Sequence, residues 1–253
     1  MALTEVLTPD WLKRRFLVGI DLTDDNRDPY PDELFEHAIA GAVGVLEAEL
    51  DLVLHDIVQV NDERKDLQDS DFEGFYLLHL NQRPVREVTK LAVRFGNFPE
   101  TELPLSWAQV ATPLAGQIQI MPGPDGIASW SFSGSALLFG GGALTNRSYT
   151  PGWWRVSYKA GYDGEEHPVP AEIIDAIGLV AALLPLDTAG DLIVGAGIAS
   201  KSVSIDGLGS TINTTSSATN SGYGARSGQY QDRLKMTLKA IRRRYRPLNM
   251  AVM

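Results

Sequence analysis

The residues of this chain best suited to chemistry lie in the segment "YDGEEHP", where three acids stand close to a histidine. Asp163, Glu165, Glu166 and His167 have the side chains that bind metal ions or transfer protons. Both kinds of chemistry need groups that are partly buried and held on rigid elements. This segment instead surrounds a glycine and runs into a proline, which predicts an exposed turn. We therefore interpret the four residues as solvated loop charges.

A second candidate is the segment "DLIVGAGIAS", where Gly195, Gly197 and Ser200 imitate a dinucleotide-binding fingerprint. That function needs a strand before the glycines and a helix after them, because the pyrophosphate binds at the helix N-terminus. The following residues, "KSVSIDGLGSTINTT", do not predict a helix. The segment is more typical of a flexible glycine-rich joint.

Composition excludes further kinds of site. The chain has no cysteine, which excludes disulfides, thiolate catalysis and cysteine-based zinc sites. Its four histidines do not have the spacing of a standard zinc motif, and no nucleophile-elbow or phosphate-loop signature is present. The sequence therefore predicts a protein that is not an enzyme and has no metal or cofactor.

The charge balance bears on possible partners. With 32 acidic residues against 22 basic ones, the net charge is −10, and such a surface repels phosphate backbones. Hydrophobic residues make up 44%, enough for a packed core. The longest apolar run, "IIDAIGLVAALLPL", contains Asp175 and Pro185 and is shorter than the roughly 20 residues that a membrane span needs. We therefore expect no membrane contact.

Helical patterns lie at the two ends of the chain and strand patterns lie between them. Thr8 and Pro9 predict the start of a short helix, and a 3.6-residue apolar stripe predicts a longer one over about residues 31–50. From residue 56 the apolar period changes to two, as in "GQIQIMP" and "WWRVSYKAGY". The middle of the chain therefore predicts an antiparallel β module.

The sequence predicts an α+β protein with a helical core, an inserted antiparallel β module and a long C-terminal arm and helix. The predicted parts are the N-terminal part of the core (1–55), the β module (56–160), a core helix that Pro185 ends (161–187), a polar extended arm (188–229), and a basic C-terminal helix with a docking tail (230–253). Two separate domains are the alternative. We favour insertion, because neither flanking helical part is large enough to fold alone.

The C-terminal helix is dense in positive charge. Between Arg233 and Arg246 there is no acid, and the seven bases are Arg233, Lys235, Lys239, Arg242, Arg243, Arg244 and Arg246. Part of this agrees with the helix dipole, which favours cations at a C-terminus. In a chain of net charge −10, the block also predicts a docking surface for something acidic, either nucleic acid or an acidic protein face.

Several short motifs then become informative together. They are Tyr158-x-x-Gly161-Tyr162, the step Val169-Pro170, "SVSIDGLGS", "GYGARSGQYQDRL" and "RRRYRP". With these motifs, residues 150–247 resemble the head-tail connector (adaptor) proteins of tailed bacteriophages. The segment "YPDELFEHAIAGAVGVLEAEL" is similar to their first core helix, and "GQIQIMP" is similar to a strand in the inserted module of longer members.

The resemblance implies a structural subunit of the phage neck. Such adaptors form a homo-oligomeric ring, typically twelvefold, that docks on the portal protein above it and extends the DNA channel. The ring receives a stopper or tail protein below. The implied location is the virion neck, after assembly in the host cytoplasm, with only transient and non-specific proximity to genomic DNA.

The resemblance also implies roles for particular residues. The implied portal-docking residues are Arg233, Lys239, Arg242, Arg243, Arg244, Tyr245, Arg246, Leu248 and Met250. The implied inter-subunit packing residues are Ile173, Ile174, Ile177, Val180, Leu184, Val203, Ile205 and Leu208.

Two alternatives stay open. One is another neck or tail component, such as a stopper, tail terminator or baseplate protein. The other is a hydrolase that uses the β module, for which the sequence offers no acid-base pair.

Overall fold

The protein is described here from a computed structural model. The residues that it describes are 3–24, 26–68, 77–94, 96–97, 99–121, 149–164, 166–194, 200–205, 208–213 and 223–245. For residues 193–194 and for the two strands between 200 and 213, it describes the backbone only.

The chain forms two compact units, one mainly helical and one built of antiparallel sheets, so the predicted α+β class is confirmed. The helical unit comprises Met1–Leu50 and Gly164–Arg243, and the β unit comprises Asp51–Asp163 and Arg244–Met253. In the sequence, the β unit therefore interrupts the helical unit.

The helical unit contains six described helices and a hairpin. The helices are α1 (Leu3–Val6), α2 (Pro9–Phe16), α3 (Asp32–Leu50), α4 (Ala171–Ala181), α5 (Leu183–Val194) and α6 (Gly224–Arg244). The hairpin pairs β8 (Ser200–Ile205) with β9 (Leu208–Asn213). Helix α3 packs mainly against α4, and α2 contacts both of them.

Helices α2 and α3 confirm the two helices predicted near the start of the chain. At the N-terminus of α2, the Trp11 backbone N–H donates to the Thr8 hydroxyl at 3.2 Å, as expected of a capping threonine. Leu12 and Phe16 are buried. The Phe16 ring lies directly against Gly178 of α4, where a side chain on the glycine would overlap it. The small residue therefore sets how closely α2 and α4 approach.

The prediction of one core helix that Pro185 ends is wrong. Helix α4 stops at Ala181, and α5 continues to Val194 with Pro185 in its first turn. The first N–H groups of a helix have no intrahelical acceptor, so the missing proline N–H costs no hydrogen bond there. The polar arm that was predicted to begin at residue 188 is therefore helical at its start.

The apolar stretch through α4 and α5 is also longer than predicted. Ala171–Leu192 has a mean hydropathy of 1.7 and is long and apolar enough to cross a membrane by length and composition alone. However, 61% of its most apolar 18-residue window is buried inside the protein. That burial is typical of a core helix, and it accounts for the apolar sequence without a membrane.

The C-terminal helix begins at Gly224, before the predicted start at residue 230. The first turns of α6 are polar and rich in glycine, so local pattern does not predict a helix there. Contacts with α2 and α5, described below, hold these turns in place. The hairpin β8–β9, with Ser200 opposite Asn213 and Ile205 opposite Leu208, occupies part of the predicted arm.

The β unit contains seven described strands in two sheets. They are β1 (Val58–Gln68), β2 (Leu77–His79), β3 (Val85–Val93), β4 (Thr101–Leu103), β5 (Ala108–Thr112), β6 (Gln117–Ile120) and β7 (Tyr149–Ala160). One sheet has the order β1-β7-β3-β4 and the other the order β2-β6-β5, with antiparallel pairing throughout. The last strand in sequence is therefore an inner strand of its sheet.

The core of the β unit is rich in aromatic residues. Trp107, Trp153, Trp154 and Tyr158 are almost fully buried, and three of them belong to β7. The Tyr158 hydroxyl accepts from the Gln82 backbone N–H at 3.0 Å and donates to a Glu63 carboxylate oxygen. These bonds satisfy the one polar group of a buried ring.

Gly161, the glycine of the Tyr-x-x-Gly-Tyr motif, directly follows β7. Its φ of +124° disfavours any residue with a side chain, and a Cβ there would lie 2.9 Å from the Asp56 carbonyl oxygen. Its own carbonyl accepts from Arg86 Nε at 2.7 Å. The motif glycine is therefore required by backbone conformation and close packing.

Candidate docking surface on the C-terminal helix

Residues on the buried side of α6, its inner face, donate hydrogen bonds to carbonyl groups at the end of α2. Arg226 donates through Nη2 to the Phe16 carbonyl at 3.0 Å and through Nη1 to the Val18 carbonyl at 2.9 Å. The Tyr230 hydroxyl donates to the same Phe16 carbonyl at 2.5 Å. The last carbonyls of a helix have no intrahelical donor, so α6 supplies the partners that the end of α2 lacks.

A second contact joins α6 to α5. The Ser227 hydroxyl donates to an Asp187 carboxylate oxygen at 3.1 Å, and Ser227 is 1% exposed. Partial burial raises the pKa of the Asp187 carboxyl above its usual value, the Ser227 hydrogen bond acts in the opposite direction, and the nearby Asp191 charge adds to the rise. Further along α6, Ile241 is 1% exposed. The inner face is therefore anchored along most of its length.

The outer face of α6 carries a row of cations. Lys235, Lys239 and Arg243 are exposed and follow one another at four-residue spacing, which places them on one side of the helix. We call these three residues the basic stripe. Met236 lies beside the stripe and is 69% exposed. The surface thus combines positive charge with an apolar contact group.

One acid belongs to the same face. Asp232 forms an ion pair with Lys235 at 3.2 Å, and both side chains are 75% exposed. An exposed pair of this kind contributes little free energy, so a partner with an acidic group can replace Asp232 at low cost. Lys239 and Arg243 form no ion pair with any residue that the structure describes.

The structure divides the predicted docking residues into three groups. Arg233, Lys239, Arg242, Arg243 and Arg244 are exposed on α6. Among them, Arg242 forms an ion pair with Glu49 near the end of α3. Arg246, Leu248 and Met250 lie outside the described residues.

Tyr245, which the resemblance implies to be a docking residue, is buried. Its side chain is 3% exposed, and its hydroxyl is hydrogen-bonded to that of Tyr162 at 2.5 Å, within the β unit. Burial and this hydrogen bond raise the pKa of Tyr162. Because its side chain is buried and its hydroxyl is hydrogen-bonded, Tyr245 has a structural role in this unit.

The predicted inter-subunit residues also differ in exposure. Ile173 and Ile177 are completely buried within the helical unit and present no surface to a neighbouring chain. Ile174 and Val180 are half-buried, and Leu184 is 42% exposed. Val203 and Ile205 belong to β8 and Leu208 to β9, and their side chains are outside what the structure describes.

The residues suited to chemistry are distributed over different parts of the chain. In the first segment, Glu166 is exposed, and Asp163 and His167 are half-buried. Glu165, Gly195 and Gly197 lie outside the described residues. Ser200 begins β8, so a strand follows the imitated fingerprint where a nucleotide site needs a helix.

Sequence reasoning missed two members of the surface. The resemblance implies no docking role for Lys235, which counts only among the seven bases, or for Met236. The four-residue spacing from Lys235 to Arg243 is the signal that finds the stripe, because residues so spaced share one helical face. The partner that Glu49 provides for Arg242 comes from a distant part of the chain, and no local pattern predicts it.

Comparisons with known proteins find only distant structural similarity. No protein-family model matches the chain, and no curated protein matches it. Three solved structures are similar to 72% of it at 14% identity: a virion of a native gene transfer agent (GTA) particle, a neck of an empty GTA particle computed with C6 symmetry, and a neck of a native GTA particle computed with C12 symmetry. Their TM-scores are 0.37, 0.38 and 0.39, with coverage of 79%, 79% and 78% of the matched chains. Scores of this size carry no argument about function.

Proposed function

We propose that the protein is a structural subunit of the neck of a tailed bacteriophage, and that it forms a head-to-tail adaptor ring. In this role it docks on the portal protein, extends the DNA channel and receives a stopper or tail protein. The observation that carries the proposal is the basic stripe of α6, an exposed row of cations on an anchored helix in a chain of net charge −10.

The stripe has the properties of a protein-docking surface. Its helix is held by Arg226, Tyr230 and Ser227, so little conformational entropy remains to be lost when a partner binds. Met236 supplies apolar area next to the cations. An acidic face on the portal would meet both features, with complementary charge increasing the rate and specificity of docking.

The residues behind the family resemblance support the proposal through their structural roles. Tyr158 is hydrogen-bonded in the β-unit core, and Gly161 has a backbone that only glycine adopts easily. Arg226 and Tyr230 of "GYGARSGQYQDRL" anchor α6. These four residues hold the fold, as motif residues of a shared architecture are expected to do.

A ring of identical subunits agrees with the apolar surface of the helical unit. Its exposed large apolar side chains include Val18 at 61%, Val45 at 57%, Leu184 at 42% and Leu192 at 41%. A neighbouring subunit would cover such residues and bury their apolar area. The acidic charge would line the channel and repel DNA phosphates, so that DNA slides through it without binding.

Charge reversal of the stripe tests the docking assignment. In particles that carry the double change Lys239→Glu and Arg243→Glu, we expect head-to-tail attachment to fall by about tenfold or more, because two favourable charge contacts become repulsive. Attachment is measured as the fraction of tailed heads in electron micrographs. Deleting the residues after Pro247 should also impair attachment.

The matched control is Arg14→Glu, which reverses an exposed cation on α2 whose ion pair with Asp10 spans 3.7 Å. It should leave attachment unchanged, and far-ultraviolet circular dichroism should show all variants folded. Normal attachment in both the double variant and the truncated one would show that α6 is not the docking helix.

A further inference from the structure

The β unit contains an open cavity of about 450 Å³ that is lined by three arginines. Arg64, Arg94 and Arg155 surround it, together with Asp66 and the backbone around Gly152. Cations are thus concentrated at one place in an acidic protein. The adaptor proposal does not use this cavity.

The sheet topology brings the three arginines together. Arg155 of the inner strand β7 is paired with Arg64 of β1 on one side and with Ala92 of β3 on the other. Arg94 is two residues beyond Ala92, and its backbone N–H donates to the Trp153 carbonyl at 2.9 Å. Paired residues and residues two apart lie on the same face of a sheet, so strand register places the three guanidinium groups around one space.

Two of the arginines have a buried donor that is not used. The Arg155 side chain is 8% exposed, and its Nη1 donates to Asp62 at 2.7 Å. The Nε atoms of Arg155 and Arg94 are buried and have no hydrogen-bond partner among the described residues. A buried donor without an acceptor is costly, so both atoms are suited to a bound group with acceptor oxygens.

Among the described residues that line the cavity or pair with its arginines, guanidinium groups outnumber carboxylates. Asp62 accepts from Arg155 and lies 3.7 Å from Arg64 Nε. Asp66 accepts from the Tyr149 hydroxyl at 2.6 Å and from the Gly152 N–H at 2.7 Å, and these bonds lower the pKa of its carboxyl and keep it ionised. In the described part of the β unit, three guanidinium groups therefore face two carboxylates.

We propose that this cavity binds the carboxylate of a Glu or Asp side chain presented by a protein partner. A guanidinium group offers Nε–H and Nη–H as a planar fork that matches two carboxylate oxygens. An excess of one guanidinium group over the carboxylates, counted among the described residues, fits a singly charged group better than a doubly charged phosphate. The cavity is open and larger than a carboxyl group, so it also admits the chain that carries the side chain.

The test observes the arginine Nε–Hε signals of the whole protein in ¹H–¹⁵N spectra at constant ionic strength. The probes are sodium acetate, inorganic phosphate, a blocked Gly-Glu-Gly peptide and the matching Gly-Gln-Gly peptide. We expect saturable shifts of the Arg94 and Arg155 signals with acetate and with the Glu peptide, tighter binding of the Glu peptide, and no saturable shift with the Gln peptide. Tighter binding of phosphate, equal affinity for acetate and the Glu peptide, or no saturable shift would each overturn the proposal.

Variants locate the binding. Arg94→Gln should weaken the affinity for the Glu peptide by about tenfold, since it removes a charged donor. Arg94→Lys should weaken it by a similar factor, because lysine keeps the charge and lacks the fork. Lys159→Gln removes a cation from the same strand as Arg155, outside the cavity, and should change the affinity by less than about twofold. If Arg94→Lys binds as tightly as the unmodified protein, or if all three variants weaken binding equally, the assignment is wrong.

Discussion

Two aromatic side chains packed around Phe16 show how single residues set the geometry of the helical unit. The Phe16 ring lies 5.2 Å from the Trp11 ring and 6.4 Å from the Tyr230 ring, measured between centroids, and the contact with Tyr230 is edge to face. Gly178 of α4 also lies directly against the Phe16 ring. Because rings on both sides hold Phe16, it has little freedom to move away from an added atom.

Gly178→Ala should therefore destabilise the protein, although alanine is the better helix former. The new methyl group would overlap the Phe16 ring, and overpacking of this kind costs about 1–3 kcal/mol. The free energy of unfolding is measured by denaturant titration.

The matched control is Gly44→Ala in α3, where an added Cβ has no atom within 4 Å. That change should stabilise the protein by about 0.5–1 kcal/mol, the helix-propensity difference between the two residues. Equal effects of the two substitutions would contradict the close approach of α2 and α4.

At the scale of elements, the sequence predicts a helix boundary where the signal lies within the same turn of the helix. Thr8 and Pro9 mark the start of α2 because a cap and a proline act within one turn. Pro185 gives a wrong helix end, because a proline stops a helix only when it lies beyond the first turn. Pro185 lies in the first turn of α5, and the sequence does not mark the end of α4. The early start of α6 depends on Arg226 reaching carbonyls near residue 16, a contact that no local pattern contains.

The junction of α5 and α6 predicts a dependence on pH. Burial raises the folded-state pKa of Asp187, so at neutral pH its ionised carboxylate opposes folding relative to a neutral side chain. Asp187→Asn keeps an acceptor for the Ser227 hydroxyl and removes the charge. We expect the variant to have a higher Tm than the unmodified protein at pH values above the folded-state pKa.

The sign of this effect follows from proton linkage. As pH falls through the raised pKa and below the ordinary value of about 3.8, Asp187 becomes neutral in both the folded and the unfolded state, so the difference in Tm should disappear. The measurement is thermal unfolding over a pH series. A lower Tm of Asp187→Asn at neutral pH would show that the charge at this junction stabilises the fold.

At the scale of the whole molecule, the sequence was sufficient for the α+β class and for the central position of the strands in the chain. The order β1-β7-β3-β4 could not be predicted, because the pairing of β7 with β1 and β3 joins residues far apart in sequence. The same non-local pairing creates the arginine cavity, which no sequence motif indicates. The resemblance implies a docking role for Tyr245, and no sequence pattern indicates its hydrogen bond to Tyr162.

The two units carry different proposed binding surfaces. The helical unit carries the basic stripe and the exposed apolar side chains that a ring would cover. The β unit carries the arginine cavity, which offers an acidic partner a separate attachment point. If both proposals hold, each subunit contacts its partners through two positively charged surfaces, and the remaining acidic surface repels DNA.

Cryo-electron microscopy of the assembled neck in particles that carry this chain tests the central claim most directly. The adaptor proposal predicts a twelvefold ring of this chain against the portal protein, with Lys239 and Arg243 of α6 at the contact. A sixfold ring on the tail tube with no portal contact would contradict it and would indicate a tail component instead.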